Sequence, residues 1–265
     1  MVDWKNILFS DVDYFNSLIS SVPVLERNMF KGADLSNFAL SKAFLKSFDL
    51  SESNLTNTFV SGYYLSTCRL DKTILKNITF DDPYWKPIIE NIKLIWQGYE
   101  VWNLNKIKGL PVLLNESYFT HLVFDKYDFS DVMFTSSHFD HSQFQGTKLS
   151  STLFSGSNMT YCIFNNIPLH DVTFNNGRLK NTHWSDCQLM NIRFVATDLQ
   201  QSIFTNCQFD HVSFNEAICQ NCYFENCTFS NCSFFETDLS YCHFFNGTFE
   251  NANLSFGKTD YLVKS

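Results

Sequence analysis

The sequence predicts an all-β solenoid with a short N-terminal helix and a helical insertion, and three observations carry that expectation. From Phe119 to Leu254, 28 consecutive positions spaced by five are 18 Phe, 7 Leu, Met159, Trp184 and Cys219. A shorter run precedes it, in which Phe30, Leu35, Leu40, Leu45, Leu50, Leu55, Val60, Leu65, Leu70, Leu75 and Phe80 keep the same spacing. Two residues before each of these centres the side chain is often small, as at Ala33, Ser53, Cys207, Ala217 and Cys232, although Phe38, Phe48 and Tyr63 are not. Such an interval matches neither the helical period of about 3.6 nor the strand period of about 2. It fits very short extended segments, with two inward side chains separated by one outward residue and then a two-residue corner. Ser, Asn, Asp, Lys and Gly dominate the corners, as in Ser36-Asn37 and Ser61-Gly62. Short polar side chains favour corners because they hydrogen-bond their own backbone.

Taken in order, residues 1–28 do not repeat. Ser10 followed by Asp13 resembles a capping box, and Val12, Phe15, Ile19 and Val22 follow at helical spacing until Pro23. The helix, with Trp4 and Leu8 packed nearby, is expected to cover the apolar end of the array, since repeat arrays need atypical terminal units. The first run fills 29–82. Residues 83–114 interrupt it: Phe119 lies 39 residues after Phe80, so the phase slips. Asp82-Pro83 ends the run, and Pro87 is read as starting a helix whose Ile88, Ile92, Ile95, Trp96, Tyr99 and Trp102 share one face. Gly109 and Pro111 then lead back into the array. The insertion is expected to lie on the array's side and bury Trp96. A lid with a functional tip is the other reading of so long a connection, with Trp96 and Trp102 as its candidate contacts. The second run fills 115–256. After Leu254 the phase lapses at Thr259, leaving 257–265 as a tail in which Tyr261, Leu262 and Val263 cover some apolar surface.

Composition bounds the function classes. A hydrophobic content of 45% excludes a mostly disordered chain. No stretch approaches the roughly 18 apolar residues of a membrane span, and the start lacks a basic segment followed by an apolar run. A cytoplasmic protein without a membrane partner is therefore expected, the alternative being a secreted effector without a cleavable signal peptide. The net charge of −8 falls entirely within residues 115–265, which carry 15 acidic and 7 basic side chains. Between Arg193 and Lys258 there is no Lys or Arg, against Asp198, Asp210, Glu216, Glu225, Glu236, Asp238 and Glu250. That surface repels nucleic acid and suits a basic partner, or serves only solubility. Outward positions supply apolar candidates beside these acids. Ile203, Tyr223 and His243 stack on one face, and Phe235 and Phe245 each follow a central Phe.

Chemistry-bearing motifs are sparse. Eight of the nine cysteines occupy the small inward position and Cys219 is a centre, so all are read as structural thiols. Cys219 and Cys222 have a zinc-like spacing, but no second pair completes it. His121, His141 and His138 come together in neighbouring coils, where solvated corner residues are the favoured reading over a weak metal site. Neither a phosphate-binding glycine loop, a G-x-S-x-G elbow nor an H-E-x-x-H helix is present. No metal, cofactor or catalytic residue is assigned.

Ala33-Asp34-Leu35-Ser36-Asn37, Ser53-Asn54-Leu55-Thr56-Asn57, Thr237-Asp238-Leu239-Ser240-Tyr241 and Ala252-Asn253-Leu254-Ser255-Phe256 resemble the repeat of the pentapeptide-repeat protein family. The resemblance implies a right-handed quadrilateral β-helix with four pentapeptides per coil. Asn221-Cys222-Tyr223-Phe224-Glu225-Asn226-Cys227-Thr228-Phe229 is similar to the Phe- and Cys-rich members. Those members include quinolone-resistance and topoisomerase-protecting proteins, which implies a non-enzymatic acidic mimic of DNA that binds a type II topoisomerase such as DNA gyrase. Separately from the resemblance, the thinly capped end after Leu254 makes the C-terminal coils the expected contact of a homodimer. The second function class is an effector or scaffold that binds a host or cellular protein.

Overall fold

The computed structural model describes residues 2–23, 26–106, 112–255 and 257–264. These form two compact units, one of residues 1–105 and 116–118, the other of residues 106–115 and 119–265.

In the second unit each side chain's neighbour is the residue 20 positions away. Strands at Val123–Asp125, Gln143–Gln145, Ile163–Asn165, His183–Ser185, Ile203–Thr205, Tyr223–Glu225, His243–Phe245 and Val263–Lys264 pair in parallel along a first side. Pro168–His170, Gln188–Met190, Gln208–Asp210, Thr228–Ser230 and Thr248–Glu250 form the second side. Single bridges such as Arg193↔Ser213↔Ser233 and Asp198↔Ile218↔Asp238 define the third and fourth. Four sides per circuit make this a quadrilateral β-helix, with four pentapeptides to each coil.

Every centre from Phe119 to Phe244 is buried. Phenylalanine rings stack down the columns, with centroids 4.7 Å apart for Phe209–Phe229, 4.9 Å for Phe204–Phe224 and 4.8 Å for Phe214–Phe234. Burial of these rings, at about 25 cal/mol per Å² of apolar surface, is the main stabilising contribution. The small inward position has a second use. Ser142, Thr152, Ser157, Thr197 and Ser202 each donate a side-chain hydroxyl to a backbone carbonyl in the coil before, at 2.6–2.9 Å. A buried hydroxyl is thereby satisfied, and Cys162 and Cys242 donate in the same way.

The tail continues the array rather than merely covering it. Lys258 bridges Asp238, and Val263–Lys264 extends the first side beside His243 and Phe244, although Thr259 takes an exposed centre. At the other end of this unit Lys106 reaches Asp128 at 3.2 Å and also donates to the Ser130 carbonyl, with 7% of its side chain exposed.

The first unit begins with two helices where one was expected, α1 (Trp4–Ser10) and α2 (Val12–Ile19). Asp11 rather than Ser10 caps α2, its carboxylate accepting the Tyr14 amide at 2.9 Å, and Asp3 caps α1 likewise. Phe15 is fully buried on Phe30 and Phe48. Of the bulky residues at small positions, Phe48 points inward, whereas Phe38 is turned out against Phe9.

The corner expected at Ser61-Gly62 is replaced by a helical turn, α3 (Gly62–Ser66). A Cβ at Gly62 would lie 2.1 Å from Trp85 Cγ, so the missing side chain is what admits the tryptophan. The insertion also departs from the expected single helix. It forms α4 (Trp85–Trp96) and α5 (Tyr99–Asn105), with Pro87 inside α4 rather than at its start. Gly98 stops α4 by adopting φ 101° while its amide donates to the Ile95 carbonyl. Ile88, Ile89, Ile92 and Ile95 are buried in this unit. Gly109 and Pro111 lie outside the described residues. No helix among the described residues is long and apolar enough to cross a membrane.

Candidate interaction surfaces

A strand of three residues with its centre inward leaves two side chains outward, one before the centre and one after it. Repeated every 20 residues, these make paired columns on each side, and the corners add a third. The seven acids of the cation-free interval fall into different columns. Glu225 is on the first side, and Asp210 and Glu250 share the second. Asp198 and Asp238 share the fourth side with Ile218 between them, and Glu216 and Glu236 occupy the corner leading onto it. The single acidic face expected from the sequence is thus divided, and only Asp198, Glu216, Glu236 and Asp238 gather.

Nor is that group free of cations. Lys180 lies 3.1 Å from Asp198, and Lys258 lies 3.9 Å from Asp238. A hydrogen-bonded row runs from Lys180 through Gln200 and Gln220 to Asp238, each contact at 2.7–2.9 Å. Burial pulls the Asp238 carboxyl upward, but hydrogen bonds from Ser240 and Gln220 and the Lys258 charge outweigh it and hold the pKa below its ordinary value. Asp210 is also lowered, by the Asn231 amide first and then by His211. Among the described residues Glu216 and Glu236 form no ion pair. They border an open groove of about 540 Å³ with Ile218, Asp238 and Lys258.

The apolar candidates also separate. Ile203 and Tyr223 share a column with His243, and Phe245, 42% exposed, stands on the same first side. Phe235, 44% exposed, is on the third side instead. Two rings that sequence reasoning did not place among the contact candidates stand beside the first group: Tyr241 and Tyr261, the latter expected only to cover apolar surface, stack with centroids 5.0 Å apart at the adjoining corner. Their signal was an aromatic recurring after 20 residues where neighbouring coils carry Asn221 and Gln201.

In the insertion the two tryptophans exchange roles. Trp102 is fully buried and so offers no contact surface, while Trp96 is only partly buried under the Arg69 guanidinium, 5.7 Å from its ring. The Trp96 Nε1 is itself buried without a hydrogen-bond partner.

All nine cysteines are buried and unpaired in disulfides. Burial pushes the Cys68 and Cys232 thiols up, to about 12 and about 11, which suits an unreactive core role. His121, His141 and Tyr161 form a ladder of parallel rings, 4.8 Å and 4.7 Å between centroids. A metal sits in the plane of an imidazole ligand, and two stacked planes cannot share one ion. Among the described residues no group of three or more His, Cys, Asp or Glu is placed to hold a metal.

Residues 127–204 and 157–228 match the family model described as a pentapeptide repeat region. No curated protein sequence matches the chain. Solved structures similar to it include trypsin-treated QnrB1, a plasmid-mediated fluoroquinolone resistance protein. It is 14% identical, covers 59% of this chain and 88% of its own, and has a TM-score of 0.29. HetL, involved in heterocyst differentiation regulation in the cyanobacterium Nostoc sp., is 10% identical over 58% of this chain and 92% of its own, with a TM-score of 0.19. Rfr23 from the cyanobacterium Cyanothece is 12% identical over 58% and 91%, with a TM-score of 0.20. Overlaps of this extent assign neither a residue nor a function.

Proposed function

Starting from a chain that carries the pentapeptide repeat, we propose a non-enzymatic protein-interaction module that binds a type II topoisomerase, such as DNA gyrase, through its acidic C-terminal coils. The observation behind this reading is the pair Glu216 and Glu236, which recur one coil apart at one corner with no ion pair among the described residues. With Asp198 and Asp238 beside them they give a row of carboxylates on a backbone too regular to yield. Like charges held on a stiff lattice attract a basic surface that ordinarily takes DNA phosphates. Lys180 and Lys258 partly offset two of the four, so the corner glutamates are assigned the larger share. Nine reduced thiols suit the cytoplasm, where such a partner would be met. The topoisomerase is the protein's direct partner in this reading, and DNA is not.

A gyrase supercoiling assay with and without a quinolone tests it. Micromolar protein is expected to preserve supercoiling against the drug, and Glu216→Lys with Glu236→Lys to remove the protection. No effect on gyrase or topoisomerase IV would overturn the assignment. The exposed Tyr241, Tyr261 and Phe245, with the half-buried Tyr223 beside them, favour a second reading, a scaffold or effector that holds another protein against the first side, or a second copy through the C-terminal coils. Loss of binding or of a dimer on Phe245→Asp, with the glutamates intact, is its signature in co-purification and light scattering.

A further inference from the structure

One cluster in the first unit belongs to none of these surfaces. Phe44 stands outward from its coil, Tyr63 and Tyr64 lie on α3, and Tyr84 and Trp85 open α4, which packs against α3. Their rings form a continuous strip. Successive centroids are 5.5 Å apart for Phe44–Tyr64, 5.4 Å for Tyr64–Tyr63, 6.1 Å for Tyr63–Trp85 and 5.3 Å for Trp85–Tyr84. Phe44, Tyr63 and Tyr84 are 37–46% exposed. Elsewhere the chain supplies cations to its own rings: Lys5 to Phe9, Arg27 to Phe48, Arg69 to Trp96 and Lys264 to Phe249. No cation of the described residues lies over any of these five. Lys46, two residues from Phe44, is drawn instead over Tyr118.

Carboxylates stand beside the strip. Asp81 accepts the Gly62 amide at 2.9 Å with one oxygen, and Asp82 accepts the Tyr84 amide at 2.9 Å with one of its own. Neither forms an ion pair among the described residues. We propose that this strip of rings, with Asp81 and Asp82 at its edge, docks an arginine-bearing segment of a protein partner. A guanidinium satisfies both features at once, because its flat face stacks on an aromatic ring while its N–H fork matches a carboxylate. Lysine offers charge without the plane. A small cationic ligand is the poorer fit, since such ligands need a concave site that covers most of their surface. Ring planes turn by 50–76° from one ring to the next, so their faces point different ways along the strip. That arrangement suits a chain segment with several contacts.

The inference rests on the protein-binding reading only in that the partner is a protein, and it uses a different surface. Isothermal titration of the full chain with an arginine- and glycine-rich peptide tests it, alongside the same peptide with lysine or glutamate in place of arginine. The arginine peptide is expected to bind, the lysine peptide more weakly and the glutamate peptide not at all. Tyr63→Ala and Tyr84→Ala should each weaken binding about three- to tenfold, and Tyr84→Phe should restore it. Thermal melts of these surface variants verify that they remain folded. Glu216→Lys with Glu236→Lys should leave the peptide affinity unchanged whatever it does to gyrase. No binding, equal affinity for the lysine peptide, or affinity unmoved by removal of the rings would each overturn the proposal. Loss of peptide binding in the double glutamate variant would move cation recognition to the acidic coils, again overturning it.

Discussion

At the scale of single residues, the costliest feature is the second corner position, which turns left-handed once in nearly every repeat. Asn206, Asn226 and Asn246 adopt φ of 55°, 53° and 52°, and their amides stack in a ladder with contacts of 3.2 Å and 3.0 Å. Backbone bonds such as Asn226 N–H to the Phe245 carbonyl, at 2.9 Å, compensate for the conformation. Asparagine tolerates this region best after glycine, and a β-branched side chain tolerates it least. Ala196 sits there at φ 52° without any side-chain bond to offset it. Ala196→Gly is therefore expected to raise the melting temperature, by the equivalent of about 0.5–1 kcal/mol, and Asn226→Val to lower it by about 1–2 kcal/mol. Thermal unfolding followed by circular dichroism measures both. The inward phase was legible because a large apolar side chain at every fifth position has no other place to go. The left-handed set was legible only as turn chemistry, because Ala196, Glu216 and Tyr241 give no sign of positive φ in their own identity.

At the scale of elements, what the sequence concealed lies where helices interrupt the five-residue rhythm. Spacing put Ile88, Ile92 and Ile95 on one face, as found, but carried the same helix through Gly98, whose left-handed turn ends it. The turn at α3 was hidden because the side chain packed on it, Trp85 in the space over Gly62, comes from 23 residues away. Lys106 is another long-range effect, a largely buried ammonium held by Asp128 and the Ser130 carbonyl. Burial raises the Asp128 carboxyl, yet hydrogen bonds from Ser130 and the Lys106 charge win and leave its pKa lowered. A carboxyl whose pKa is lowered by folding adds stability above its unfolded pKa, and that contribution fades as pH falls through the folded one. Lys106→Met is expected to cost about 1–3 kcal/mol at neutral pH. The gap from the parent protein should narrow below about pH 4, as Asp128 protonates in both. Denaturant titrations at several pH values measure that narrowing; a gap independent of pH would mean that Lys106 acts by packing alone.

For the β-helical unit taken whole, a side chain's neighbours are set by a separation of 20 rather than by proximity in sequence. That explains why the acids looked like one cluster along the chain and proved to be three groups on the lattice, and why Lys180 reaches Asp198 from outside the cation-free interval. The columns holding Ile203, Tyr223 and His243 were legible by counting, whereas the pairings that partly offset the charges of Asp198 and Asp238 depend on where long side chains reach. The in-register pairing of Ser185 with Thr205 has a further consequence for how such a chain tolerates rearrangement. Removal of Asp186–Thr205 joins Ser185 to Asn206 and takes out one full circuit, so every later column meets its old neighbours one storey lower. Such a shortened chain is expected to melt cooperatively and to keep the Glu216–Glu236 corner. Removal of Asp186–Met190 alone takes out one inward centre, Leu189, and keeps the five-residue phase, but it rotates all that follows by a quarter turn, uncoupling Lys180 from Asp198. Length is thus an address: insertions and losses are absorbed in whole circuits, and anything less redirects which side of the molecule a partner would find.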